Sequence, residues 1–169
     1  MARKSLKNAT LKILDGTSVT PNEITVKLGT GNITWTENYG YDYEPERGNI
    51  ANGTVRDADE QPVDVNVTAT WEDTIYGTGD TEFVTPYEAL KRQGAAADWE
   101  TTGADACEPY ACELDIEFDI TCGGTLDELV RFTEFRCESC AFDISAGTLV
   151  FSGKSKEVRP AVTRVDFSA

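Results

Sequence analysis

Residues 112–120 read Cys-Glu-Leu-Asp-Ile-Glu-Phe-Asp-Ile, an unbroken alternation between apolar and acidic side chains. A period of two is typical of a β-strand with one buried face and one exposed face. The acidic positions, about 6.6–7 Å apart along such a strand, are Glu113, Asp115, Glu117 and Asp119. Like charges on one strand face repel each other, so this stripe requires an explanation. It is either a solvated face that resists aggregation or a surface that repels something acidic.

The same period recurs elsewhere in the chain. In Val63–Trp71, apolar residues alternate with Asp64, Asn66, Thr68 and Thr70, which predicts a long strand with a second one-sided polar face. A shorter alternation predicts a strand near Glu23–Leu28. Two further strands are predicted at about Arg131–Ile144 and Thr148–Ser152, where the poorer alternation indicates curvature or burial on both faces. The chain is therefore predicted to be mainly β.

One short helix is predicted at Pro86–Gln93. Thr85 stands at the N-cap, Pro86 at the first helical position, and Glu88 completes a capping box. Gly94 is the expected stop. A helix of about two turns is unstable alone, so we expect it to flank a sheet.

The segment from about residue 30 to residue 61 is long for a connection inside a compact domain. We interpret it as a long protruding hairpin, with a tight turn predicted at Asn52-Gly53. Its aromatic residues either pack on a neighbouring subunit or on the body of the domain, which we favour, or form a ligand-binding face of the kind that glycan-binding modules use. They are Trp35, Tyr39, Tyr41 and Tyr43.

Both ends of the chain are predicted to be extended arms. Residues 154–169 form the expected C-terminal arm, and the basic stretch Met1–Lys7 forms the N-terminal one. That stretch lacks the apolar run of a signal peptide, so we expect a protein that is made inside the cell and left unprocessed. We expect residues 1–169 to form a single β domain. Arms, a protruding hairpin and open strand edges together indicate a subunit of an assembly.

Charge and composition disfavour several classes of function. The chain has 30 acidic and 15 basic residues, a formal net charge of −15, which argues against direct binding of nucleic acid or acidic membranes. It has no histidine, which removes Ser-His-Asp and Cys-His nucleophile pairs and most zinc enzymes. Paired carboxylates could serve a glycosidase, but so many acidic residues form pairs by chance. We therefore expect no enzymatic role and no cofactor.

The five cysteines admit a metal site or disulfides. Four thiolates could hold zinc, but in a regular strand Cys137 and Cys140 would point to opposite faces, so we expect no metal there. A disulfide such as Cys107 with Cys122 could form after assembly, although a cytoplasmic origin disfavours it. Cys112 is expected in the core.

The order of several segments resembles bacteriophage major tail tube proteins, and the resemblance spans most of the chain. The segments include Asp15-Gly16-Thr17, Glu23–Gly29, Gly31–Glu37, Gly53–Pro62 followed by the strand to Trp71, the Pro86–Gln93 helix, Cys107–Tyr110, Thr121–Gly124, Phe135–Glu138 and Ala146–Lys154.

The resemblance implies a β-sandwich or barrel-like tail tube fold with one short flanking α-helix. It also implies a structural virion protein, assembled in the host cytoplasm, whose stacked hexameric rings form the channel for DNA ejection. Its partners would be other copies of itself, the tape measure, tail terminator and distal tail or baseplate proteins, with DNA passing unbound and no membrane. Candidate lumen-facing residues are Glu113, Asp115, Glu117, Asp119, Asp64, Asn66, Thr68 and Thr70. Candidate inter-ring contacts on the hairpin are Trp35, Tyr39, Tyr41, Tyr43, Arg47, Arg56, Asp57 and Asp59.

Two alternatives stay open at the level of sequence. The first is an acidic β-sandwich that binds a glycan or a protein through the aromatic row. The second is another virion β-protein, such as a tail terminator or a head decoration protein.

Overall fold

The computed structural model describes residues 9–72, 74–75, 83–118 and 128–164. The strands are β1 (Ala9–Leu14), β2 (Glu23–Val26), β3 (Asn32–Thr36), β4 (Tyr41–Glu46), β5 (Asn49–Asp57), β6 (Val63–Thr70), β7 (Thr74–Ile75), β8 (Phe83–Val84), β9 (Cys112–Phe118), β10 (Glu128–Asp143), β11 (Thr148–Ser155) and β12 (Ala161–Arg164). The helix α1 spans Pro86–Lys91, and one 3₁₀ turn spans Gly94–Ala96. The predicted mainly β architecture with one short flanking helix is confirmed.

An antiparallel sheet forms the body of the domain. Its strand order is β2-β1-β9-β10-β11-β6-β3, with β12 also paired to β10. The predicted alternation along β6 is confirmed, because Val63, Val65, Val67 and Ala69 are buried while the residues between them are not. No helix in the described parts of the chain is both long and apolar enough to cross a membrane.

The sheet curves around its core. The rings of Trp35 on β3 and Phe132 on β10 lie 5.6 Å apart, although two strands separate β3 from β10 in the sheet. In a flat sheet these strands would be about 14 Å apart. β10 has two irregularities, between Phe132 and Phe135 and between Cys137 and Ser139, which bend it. Of the two expectations for this strand, curvature or burial on both faces, the irregularities and the one-sided burial favour curvature.

The helix covers one part of the core. Thr85 Oγ1 accepts a hydrogen bond from Glu88 N, and the Glu88 carboxylate accepts one from Thr85 N at 2.8 Å, so the predicted capping box is confirmed. The helix ends two residues earlier than predicted because Arg92 adopts a left-handed conformation. The following loop contributes Trp99, only 1% exposed, to the core. The sequence pattern gave no sign of this contribution.

The β4–β5 ribbon is a separate two-stranded sheet, and every residue of both strands is exposed except Gly53, which is half-buried. The predicted turn at Asn52-Gly53 is wrong. The chain turns at Arg47-Gly48, whose φ values of 50° and 80° suit a two-residue hairpin turn. Gly53 instead allows close strand approach, since a Cβ there would lie 2.4 Å from the Glu44 carbonyl oxygen.

The C-terminal segment is less free than predicted. Residues 154 and 155 still belong to β11, and Ala161–Arg164 forms β12 along β10, so most of the expected arm up to residue 164 lies on the body. The reason is that the first part of β10 extends beyond β11 and offers β12 a strand to pair with. The rest of this arm, and the N-terminal arm Met1–Lys7, lie outside the described residues.

Asp15 organises the loop between β1 and β2. It is 3% exposed, and its carboxylate accepts hydrogen bonds from the backbone N and side chain of Thr17, from the backbone N and side chain of Asn22, and from Glu100 N. Burial alone would raise the pKa of Asp15, but the hydrogen bonds together outweigh burial and lower it. One carboxylate thus joins the β1–β2 loop to the segment around residue 100.

We expect Asp15→Ala to lower the free energy of unfolding by about 1–3 kcal/mol, because it leaves several donors without an acceptor. The folded-state pKa is depressed, so this stabilisation is present above the unfolded-state value of about 3.9 and is lost as the pH falls through the folded-state value. Urea unfolding at pH 7 and at pH 3 measures both effects. Asp98→Ala, at an exposed position, is the control. Equal losses for the two variants at pH 7 would contradict this role.

Candidate functional site

The two strands with one-sided polar faces belong to the same sheet and present those faces on the same side. On β9, Leu114 and Ile116 point into the core, as Val65 and Val67 do on β6. The alternating residues therefore lie on the face of the sheet opposite the core. The described members of this polar sheet face are Glu113, Asp115, Glu117, Asp64, Asn66, Thr68 and Thr70. Asp119 lies outside the described residues.

The acidic stripe is not the freely solvated row that the sequence predicts. Asp115 is 3% exposed, and Glu113 and Glu117 are half-buried. The cause is Arg131, which stands opposite Asp115 in the β9–β10 register. Its Nε lies 2.8 Å from Asp115 Oδ1 and its Nη2 lies 2.7 Å from Oδ2, a two-point ion pair. The same guanidinium lies 2.9 Å from Glu113 Oε1.

Lys12 on β1 performs the same task on the other side of β9. Its Nζ lies 3.1 Å from Glu117 Oε1 and 3.5 Å from Glu23 Oε1. Burial opposes a charged Lys12, yet the two carboxylates outweigh burial and raise its pKa. The polar sheet face is thus an interleaved network in which cations of the neighbouring strands separate the carboxylates of β9.

The network still has an excess of negative charge. It contains the carboxylates of Glu23, Glu113, Asp115 and Glu117 and the cations of Lys12 and Arg131, which leaves two formal negative charges. The pKa of Glu113 is raised, first by burial and then by Asp115 and Glu157, and Arg131 only partly counteracts this. The negative charges of Asp115 and Glu157 therefore act on Glu113 together with burial.

The β6 part of the polar sheet face is more open. Asp64 has a side chain that is 50% exposed, lies 3.9 Å from Lys154 Nζ, and accepts a hydrogen bond of 3.1 Å from the Asn38 side chain. Asn66 is exposed, and Thr68 and Thr70 are half-buried. This region offers polar groups to solvent without a dense ion network.

The β4–β5 ribbon has two unlike faces. Tyr43 stands opposite Val55, and Tyr41 lies two residues from Tyr43, so the three share one face. These side chains are 59%, 57% and 52% exposed, respectively. The opposite face carries charge, with Arg56 Nη2 3.1 Å from Glu44 Oε2. The exposure of Tyr41 and Tyr43 rules out one of the two expected placements, packing on the body of the domain. Packing on a neighbouring subunit stays a prediction.

The other predicted contact residues are spread over this region. Trp35 lies on β3 in the main sheet rather than on the ribbon, where its ring meets Phe132. Tyr39 precedes the ribbon, is 50% exposed, and donates its hydroxyl hydrogen bond to Glu37. Arg47 forms the turn of the ribbon, and Arg56 and Asp57 lie on β5. Asp59 lines a cleft at the base of the ribbon, together with Glu157 and Arg159.

The expectation for the Cys137 and Cys140 side chains is wrong. Instead of pointing to opposite faces, their sulfur atoms lie 3.2 Å apart. The irregularity between Cys137 and Ser139 adds a residue to β10 and restores the two cysteines to the same side of the sheet. Cys112 is in the core as predicted, at 1% exposure. The proposed Cys107–Cys122 disulfide involves a residue outside the described part of the chain.

Sequence reasoning identified the carboxylates but missed the two cations that hold them. Lys12 interrupts the apolar residues Leu11 and Ile13 at a position of opposite parity, and Arg131 holds the corresponding position on β10. The parity of Lys12 and Arg131 is visible in the sequence and could have identified them as members of the polar face. Their pairing with Asp115 and Glu117 depends on strand order and register, which the sequence does not display.

No protein-family model matches the chain, and no curated protein matches it. Solved structures match it in fold. The chain aligns over 96% of its length with 93% of a chain from the extended sheath–tube complex of an extracellular contractile injection system, PVC, with a TM-score of 0.54 and 9% identity. It aligns over 96% of its length with 98% of a chain from the PVC sheath/tube terminator, again with a TM-score of 0.54 and 9% identity.

A third match is the tube-terminating cap of the anti-feeding prophage, with a TM-score of 0.50, 9% identity, and coverage of 98% of this chain and 93% of that one. At this level of identity the likeness shows the fold. The chain has a tube- and terminator-like β fold over nearly its whole length.

We expect Arg131→Met to lower the free energy of unfolding by about 2–4 kcal/mol, because it leaves the buried Asp115 carboxylate without its partner. Arg56→Met, which breaks an exposed ion pair, should cost less than about 0.5 kcal/mol. Urea denaturation of both variants at one pH gives the comparison. The account of the polar sheet face is wrong if the two losses are equal.

Proposed function

We propose that the protein is a structural, non-enzymatic subunit of a phage-type tail, and specifically a major tail tube protein. The observation that carries this proposal is the β4–β5 ribbon, which leaves the body of a tube-like fold with an aromatic and aliphatic face exposed. A two-stranded ribbon is marginally stable alone, and exposed faces of this kind mark protein contacts. In a tube, this face of the ribbon would contact the next ring of identical subunits.

The composition of the ribbon suits an inter-ring contact. Tyr41, Tyr43 and Val55 would supply apolar area, since tyrosine is enriched at interfaces and carries a polar hydroxyl at its tip. Glu44 and Arg56 on the other face would remain in water and set the orientation of the ribbon. Arg47 at the turn and Asp57 at the base would complete the contact.

Ring formation would use the two ends of the main sheet. β2 and β3 are its end strands, and they are only four and five residues long. End strands are templates for pairing with another chain, and a closed ring of subunits removes them. Six copies joined in this way would give a continuous β-wall around a central channel.

In this arrangement the polar sheet face would form the channel wall, with Asp119 as a further candidate. Its excess negative charge would repel DNA phosphates, so DNA would pass without binding. Lys12 and Arg131 would keep the wall folded while leaving it acidic.

The subunit would act in the virion tail after assembly in the host cytoplasm. Its partners would be the tape measure, terminator and distal tail or baseplate proteins, and it would need no cofactor.

Purified protein at high concentration should form rings or stacked tubes about 80–100 Å across, the size expected for six subunits of this mass around a pore. Tyr43→Asp combined with Val55→Asp should abolish stacking, because it puts charge on the apolar face of the ribbon. Negative-stain microscopy counts tubes and single rings.

The control for this experiment is Val19→Asp, at a position that is 91% exposed and lies far along the chain from the ribbon. It should stack as the unaltered protein does. Thermal unfolding of all three proteins shows whether the subunit itself has changed. Stacking that persists in the ribbon variant would show that the ribbon is not the inter-ring contact.

A charge change on the polar sheet face tests the channel. Glu113 and Glu117 suit this test poorly, since reversing them would place lysines beside Arg131 and Lys12. Asn66→Lys with Thr68→Lys adds positive charge to the open β6 part instead. We expect these tubes to retain labelled duplex DNA at low salt and to release it as salt is raised.

Tubes of the unaltered protein and of Val19→Lys should retain none. If the β6 variant retains no more DNA than Val19→Lys does, the polar sheet face does not line the channel.

A tail terminator is the second candidate, because two of the matching structures are a tube terminator and a tube-terminating cap. A terminator would form single rings and would not stack at any concentration. Tube length in the same micrographs therefore distinguishes the two roles.

A further inference from the structure

Two cysteines of β10 lie close together, and the proposed assembly role does not involve them. The sulfur atoms of Cys137 and Cys140 are 3.2 Å apart, and both residues are half-buried at the edge of the core. The other described cysteines differ. Cys107 is exposed, and Cys112 is buried, with its thiol directed at the carbonyl oxygen of Phe135.

The backbone is shaped to produce this pair. Residues three apart in a regular strand point to opposite faces, and the bulge between Cys137 and Ser139 reverses this. Gly153 stands opposite Cys137, and a Cβ there would lie 2.0 Å from the Arg136 carbonyl oxygen. Lys91, at the end of α1, donates a hydrogen bond of 3.1 Å to the Cys137 carbonyl oxygen and anchors the bulge to the helix.

We propose that Cys137 and Cys140 form a reversible dithiol–disulfide site that exchanges with low-molecular-weight disulfides. One protein thiolate attacks the small disulfide, forms a mixed disulfide and releases one small thiol. The second cysteine then attacks the protein sulfur of the mixed disulfide and releases the second small thiol. The protein loses two protons and two electrons, and the small disulfide is reduced to two thiols.

Partial burial affects the reactivity of the pair. Burial, followed by the contact with Cys140, raises the pKa of Cys137 to about 12. The resulting disulfide would link Cys137 and Cys140 across the bulge of β10, close to the end of α1. This chemistry belongs to the single chain and does not depend on ring assembly.

The experiment uses the full chain with Cys107→Ser and Cys122→Ser, treated with oxidised glutathione at neutral pH and digested with trypsin. Arg136 and Lys154 bound one tryptic peptide that contains both cysteines. We expect the mass of this peptide to fall by about 2 Da, the two hydrogens lost to a disulfide, and to recover after dithiothreitol. Adding Cys137→Ser should leave one glutathionyl group on Cys140.

A comparison with the unfolded chain tests whether the fold builds the site. The ratio of internal disulfide to mixed disulfide should be at least about tenfold higher for the native chain than in concentrated urea, because the fold holds the sulfur atoms in contact. Equal ratios would overturn the proposal. So would a native peptide that keeps two free thiols, or gains two glutathionyl groups, under conditions that fully modify Cys107 of the unaltered protein.

Discussion

The contact between Arg131 and Asp115 is the interaction on which the polar sheet face depends. β9 is paired with β1 on one side and with β10 on the other. The carboxylates on its polar face therefore cannot move away from one another. A two-point ion pair with Arg131 neutralises the most buried of them, Asp115, and Lys12 contacts Glu117. Removing one partner of a buried pair costs more than the pair itself contributes. The strand can therefore stay acidic only while its neighbours supply these cations.

This arrangement connects stability to the proposed function. A face made only of carboxylates would repel DNA but would also oppose the pairing of β9 with its neighbours. A fully neutralised face would fold well and repel little. The observed network has an excess of carboxylates over cations, and on β6 it gives way to a more open polar surface. In the proposed tube, the exposed ribbon would supply the second requirement, a contact that leaves the body of the subunit.

Much of the fold could be predicted from local patterns. The alternation along β6 and the capping box of α1 depend only on residues close in sequence, and both are confirmed. The exposure of the acidic stripe was predicted wrongly, because the burial of Asp115 depends on Arg131 sixteen residues away. The turn of the ribbon was also misplaced, since Gly53 serves a close strand contact. The Cys137–Cys140 pair could not be predicted without the bulge that produces it.

A cryo-EM reconstruction of the assembled protein, at a resolution that shows side chains, would show directly whether the polar sheet face lines a channel. We expect closed rings in which Glu113, Asp115 and Glu117 on β9 and Asn66 on β6 face the central axis. We also expect the ribbon to contact the adjacent ring. A ring whose β9 carboxylates face outward, or are buried between neighbouring subunits, would contradict this arrangement.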